Sequence, residues 1–180
     1  MRVGNYMSTY SGVKFYPLDP RVEEIKTKDI SHALSMTCRA NGHSRHFYSV
    51  AQHSLNCAHE AAGRGHSRRV QLGCLLHDAS EAYISDIIRP VKSELEEYLA
   101  VESRLQQTIF RAYGLADLSE EEHLLINQVD DCLLDYEHGE LLNGSPKKTD
   151  ALVEMYDLSF RPMEDVRDEF IQVVDRLSLE

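Results

Sequence analysis

Four ionisable residues, His77, Asp78, Glu81 and Asp86, fall within the stretch CLLHDASEAYISD (74–86), directly behind an apolar run. On a helix advancing about 100° per residue, His77 and Glu81 lie one turn apart on nearly the same face, with Asp78 flanking them. That face presents a metal ligand pair beside a free carboxylate. Leu72, Cys74, Leu75 and Leu76 would bury such a site, and buried charges persist only when paired or bound to a metal. An HD dipeptide alone carries little weight, but His53 in FYSVAQHS and Asp130 in INQVDD interrupt apolar helical patterns in the same way. Two imidazoles and two carboxylates suit a borderline-to-hard divalent ion, Mn, Co, Mg, Fe or Zn, and leave positions for water and a phosphoryl oxygen. Asp131 rivals Asp130 for the last carboxylate, although on a helix it faces about 100° away.

Helices must hold these residues, and the pattern is helical almost throughout, which predicts an all-α bundle of six or more helices. A short N-terminal segment, TYSGVKFYPLDP, reads as an extended piece or small hairpin. Asp29 is placed as the cap of a first helix running through ISHALSMTCRANG to Gly42. Ser49 begins a second, stopped by Gly63 and Gly65, and RRVQLGCLLHDASEAYI (68–84) forms a third, apolar on more than one face and therefore central. A fourth follows Pro90 to Gly114, and Ser119 with Glu122 forms a capping box for a fifth that carries Asp130. A last helix from about Pro162 shows Val166, Phe170, Val173 and Leu177 on one stripe. The site is expected between the second, third and fifth helices.

At 180 residues the chain fits a single domain. Thirty Asp and Glu against nineteen Lys and Arg give a formal charge of -11, which argues against nucleic acid as partner and requires any phosphate site to be built locally. The N-terminus lacks a signal peptide's apolar core and no run is long enough for a membrane span, so a cytoplasmic location without membrane association is expected. Cys38, Cys57, Cys74 and Cys132 form no CxxC pair and read as buried reduced thiols.

The order His53, His77-Asp78, Asp130 resembles the H...HD...D signature of the HD-domain metal-dependent phosphohydrolases. HDASEAYISDIIRPVK is particularly similar to the segment found in bacterial HD-type 5'-deoxyribonucleotidases and phage-type deoxynucleoside triphosphohydrolases. The likeness runs from about residue 29 to 135, including DISHALSMTCRANGH, with the C-terminal third matching only as helical scaffold. The resemblance implies an HD-domain helical bundle in which His53, His77, Asp78 and Asp130 ligate the metal. It further implies that Glu81 orients or deprotonates the metal-bound water and that Asp86 holds a sugar hydroxyl or another polar point of a nucleotide. Relatives form dimers or larger rings, so a homo-oligomer is expected.

Arg39 is the best candidate phosphate clamp, since a guanidinium offers bidentate hydrogen bonds to phosphate oxygens, and the resemblance supports it. Lys92 in RPVK is a second candidate cation, and His43, Arg45 and His46 form a basic, aromatic-flanked loop suited to a triphosphate tail or a base. His32, His59, His66, His123 and His138 lie outside the motif and are taken as non-ligands. One departure stands out: the related nucleotidases follow the arginine with a tryptophan that resembles a gate against ribose, whereas Ala40 follows Arg39 and the chain contains no Trp. The expected activity is hydrolysis of a (deoxy)nucleotide phosphoester by metal-bound water, first as a 5'-deoxynucleotidase on dNMPs. A triphosphohydrolase acting on dNTPs is the alternative, with Lys147 and Lys148 as further candidate tail cations, and a non-catalytic nucleotide- or metal-binding module is the third reading.

Overall fold

The structure, a computed structural model, describes residues 2–142, 144 and 149–178. It is all-α apart from one small hairpin, β1 (Met7–Ser8) and β2 (Lys14–Phe15), paired antiparallel with Met7 opposite Phe15. The helices are α1 (Thr27–Met36), α2 (Val50–Gly63), α3 (Arg68–Leu76), α4 (Glu81–Ile84), α5 (Arg89–Lys92), α6 (Glu96–Ala112), α7 (Glu120–Leu142) and α8 (Met163–Ser178). No helix among the described residues is long and apolar enough to cross a membrane.

Several boundaries follow the expected caps. The Ser49 hydroxyl accepts from the Gln52 amide at 3.1 Å. Ser119 and Glu122 cap each other's amides reciprocally, at 2.8 and 3.1 Å. Asp29 does not cap α1. It sits buried in the first turn and accepts from Thr9 Oγ1 (2.8 Å), Ser11 N (2.6 Å) and Ser11 Oγ (2.7 Å), so its carboxylate ties the hairpin to the bundle. Nor does the first helix reach Gly42. It stops at Met36, and the chain turns tightly through Arg39–Gly42 with Ala40 and Asn41 at φ 52° and 55°. Pro90 falls inside the short α5, and the long fourth helix begins six residues later.

Two apolar clusters flank the central pair α2 and α3. On one side Leu55, Leu75 and Leu76 pack with Ile30 and Leu34 of α1, Leu105 and Ile109 of α6, and Phe170 and Val174 of α8. On the other, Cys57, Ala61, Val70 and Cys74 pack with Val129 and Leu133 of α7 and with Tyr156 and Leu158 of the following segment. Each fully buried leucine contributes about 1.5–3 kcal/mol. Gly73 lets α3 approach α7 closely, because a Cβ there would overlap the Ile126 side chain. The second cluster is the layer interrupted by charge.

Candidate metal centre

The expected third helix is broken at the site. After Leu76 the chain winds in three-residue turns, with Ala79 N to Leu76 O, Glu81 N to Asp78 O and Tyr83 N to Ser80 O all at 3.0 Å. Two side chains explain the break. His77 Nδ1 donates to the Cys74 carbonyl at 2.7 Å, which a continuing helix would offer to the Asp78 amide. The Gln106 side chain, from α6, bridges the next gap: its Nε2 donates to the Leu76 carbonyl (2.7 Å) and its Oε1 accepts from the Ser80 amide (3.1 Å). Residues three apart eclipse in this tighter winding, so Asp78 and Glu81, rather than His77 and Glu81, share a side.

His53 from α2, His77 from the end of α3 and Asp130 from α7 converge, as the helix order predicts. Asp130 Oδ1 lies 3.1 Å from His53 Nε2 and 3.5 Å from His77 Nε2. Donor atoms of His53, Cys57, His77 and Asp130 all lie within 4.8 Å of one another. Asp78 stands at the edge of this group, Oδ2 3.2 Å from His77 Nε2 and 4.0 Å from His53 Nε2. Donors sharing one ion through bonds of about 2.0–2.3 Å are separated by about 2.8–3.8 Å when adjacent and about 4.0–4.6 Å when opposite, so these spacings fit a bound divalent ion. His77 Nε2 adds a second indication. It is buried and makes no hydrogen bond despite its carboxylate neighbours, as a nitrogen lone pair directed at a cation would be.

Both rings are oriented by their other nitrogen. His53 Nδ1 lies 2.7 Å from Glu137 Oε1, and the same carboxylate takes the Tyr48 hydroxyl at 2.7 Å and Arg39 Nε at 3.3 Å. Asn56 in turn donates to the Tyr48 hydroxyl. A carboxylate behind a histidine fixes the tautomer and raises the basicity of the free nitrogen. Sequence reasoning missed Glu137; its signal is a position seven residues, two helical turns, after Asp130 on the same face of α7. Cys57, read as an inert thiol, lines the cluster with Sγ 3.4 Å from His53 Nε2, and burial pushes its pKa up.

Electrostatics divide the carboxyls into two kinds. Burial would raise the pKa of Asp130, but the His53 hydrogen bond and the neighbouring His77 imidazole hold it well below the usual range. Burial is likewise outweighed at Asp78 by His77 and Arg39, and at Glu137 by His53 and Arg39. Glu81 goes the other way: burial, then the charges of Asp78 and Asp86, push it up to about 9, and Arg39 and Lys92 only partly offset this. Its Oε2 is buried without a partner. The site thus pairs oxygen donors whose pKa values are held down with one carboxyl whose hold on its proton is strengthened.

The remaining candidates separate clearly. Arg39 enters the site, with Nη1 3.1 Å from Asp78, although burial and pairing already occupy two of its donor nitrogens. Asp86 lies near Arg39, Asp78 and Lys92 and close to the Ala40 backbone, and burial raises its pKa. Lys92 Nζ stands 3.7 Å from Glu81 and 2.6 Å from Glu102. His46 is not brought to the cluster: its Nε2 donates to the Leu158 carbonyl at 2.7 Å and anchors the segment before α8. Asp131 faces Arg89 at 3.8 Å near the surface and lies outside the donor group. His59 points to Glu169 of α8, while Lys147 and Lys148 lie outside the described residues.

Residues 23–168 match the sequence profile of the HD domain family. The chain belongs to that family. The match extends beyond residues 29–135 on both sides and takes in the start of α8. HD domains are generally metal-dependent hydrolases, which agrees with the donor cluster here. Two curated relatives carry no described activity. The chain is 37% identical over 111 residues to the uncharacterized protein YfdR of Escherichia coli, covering 62% of this chain and 60% of that protein. It is 36% identical over 110 residues to the uncharacterized protein RCAP_rcc00048 of Rhodobacter capsulatus, covering 58% and 56%. The chain therefore spans less than two thirds of either relative's length.

Proposed function

We propose that this HD domain is a phosphohydrolase acting on nucleotides, with a 5'-deoxynucleoside monophosphate as the first substrate. The observation that carries the reading is the buried, unbonded His77 Nε2 set among His53, Asp130 and Asp78. His53, His77, Asp78 and Asp130 would hold the divalent ion. When bound, such an ion neutralises phosphoryl charge and lowers the pKa of a coordinated water.

The other residues supply positioning and proton handling. Arg39, fixed by Asp78 and Glu137, retains N–H donors beyond Nη1 and Nε for a phosphate oxygen. Glu81, beside Asp78 and within 3.7 Å of Lys92, holds or moves a proton at its partnerless Oε2. Asp86 and the neighbouring Ala40 backbone form a polar point suited to a sugar hydroxyl. Ala40 places no large side chain behind Arg39, so discrimination against ribose rests on that polar point.

The cations nearest the cluster are Arg39 and Lys92, each already paired, and His46 is turned toward Leu158. This favours a substrate with one phosphate. Triphosphohydrolysis is the second reading, supported by Arg89, an exposed cation 3.8 Å from Asp131 at the rim.

The test is to load the protein with manganese or cobalt, supply ribo- and deoxynucleoside mono- and triphosphates separately, and identify products by mass spectrometry. Nucleoside plus inorganic phosphate from deoxynucleoside monophosphates is the expected result. Nucleoside plus intact triphosphate would replace it with the second reading. A chain that holds the ion and turns over none of these substrates would instead be a non-catalytic binding module.

A further inference from the structure

We infer that Cys57 supplies a sulfur ligand to the ion held by His53, His77 and Asp130, so that the centre selects zinc, cobalt or iron over magnesium. The inference rests on the metal centre proposed above. Cys57 follows His53 by four residues on α2, which places both side chains on one face of the helix. Sγ lies 3.4 Å from His53 Nε2 and within 4.8 Å of the His77 and Asp130 donor atoms, which come from two other segments. A nitrogen and a sulfur bound to one ion at about 2.1 Å and about 2.3 Å are about 3.1–3.6 Å apart for bond angles of about 90–110°. The observed separation falls inside that interval.

The sulfur does not stand alone. His77 Nε2, buried and without a hydrogen bond, faces the same space. Asp78, at the edge of the group and paired with Arg39 at 3.1 Å, remains an oxygen donor, and Cys57 adds a soft donor beside it rather than replacing it. Coordination replaces the S–H bond with a metal–sulfur bond, and the proton passes to solvent. A thiolate is a soft donor, which favours zinc, cobalt and iron and disfavours magnesium.

X-ray absorption spectroscopy of the full chain loaded with zinc or cobalt tests this directly. The expected result is a sulfur neighbour at about 2.3 Å in the wild type and in Cys74→Ala, and none in Cys57→Ser. Cys57→Ser should also weaken zinc binding by more than the about 10–100-fold that loss of an outer partner produces, with a much smaller change for magnesium. An ion bound only by nitrogen and oxygen in the wild type would overturn the Cys57 assignment and leave the metal centre standing. A chain that takes up no ion would overturn both.

Discussion

Helix α2 carries two buried charged residues seven positions apart, His53 and Glu60, both fully inaccessible. Glu60 is closed. Its carboxylate accepts from Arg64 Nε at 2.6 Å, the Tyr156 hydroxyl at 2.8 Å and the Val153 amide at 3.1 Å, fastening the segment before α8 onto α2. His53 belongs to a cluster that is not closed: its neighbour His77 has an unbonded nitrogen, and Glu81, across Asp78, has an unbonded oxygen. Both sites bury charge at similar depth. The difference is that one spends every lone pair on fixed protein partners, while the other leaves donor atoms aimed at a space a cation would occupy. Burial of charge by itself therefore does not mark function; a cluster of neighbouring ionisable groups with unsatisfied atoms is the better guide, since isolated cases such as Ser54 Oγ and Tyr83 Oη also occur.

Mutations at the two places should separate chemistry from stability. Glu81→Gln should keep the ion and lower kcat by about 10²–10⁴-fold, the usual contribution of a positioned acid or base; steady-state kinetics alongside metal analysis checks both halves, and unchanged kcat would remove Glu81 from the chemistry. Glu60→Ala should cost about 1–3 kcal/mol by leaving the Tyr156 hydroxyl and the Val153 amide without their acceptor, seen as a lower denaturation midpoint, with ion affinity unaltered. Glu137→Gln lies between the two, because Glu137 is satisfied like Glu60 yet stands behind His53, a proposed ligand. It should weaken ion binding by about 10–100-fold, measured by competition with a chelating dye; an unchanged affinity would place Glu137 with the scaffold.

Features encoded over a few neighbouring residues were readable in the sequence. The Ser49 cap, the Ser119–Glu122 box, the N-terminal hairpin and the apolar stripe of α8 all depend on short-range chemistry, and all are present. The convergence of His53, His77 and Asp130 was also legible, because each interrupts an apolar pattern on a helix that had to pack centrally. What could not be read depends on partners remote in the chain. Gln106 opens the helix at Leu76–Ser80 from thirty residues away, and Asp29 caps nothing because Thr9 and Ser11 reach it first. Glu137 looks like one more acid in an acidic helix until Tyr48, His53 and Arg39 are seen around it. His46, basic and seven residues before His53, is drawn off by the Leu158 carbonyl, 112 residues further along.

The most direct test of the account is ion retention by the purified chain after dialysis against metal-free buffer, measured by elemental analysis for the wild type and for His77→Ala and Glu60→Ala. The account predicts stoichiometric retention of a divalent ion by the wild type and Glu60→Ala, and its loss in His77→Ala with the helical signal intact. Equal retention by His77→Ala, or none by the wild type after incubation with zinc, cobalt or manganese, would contradict it.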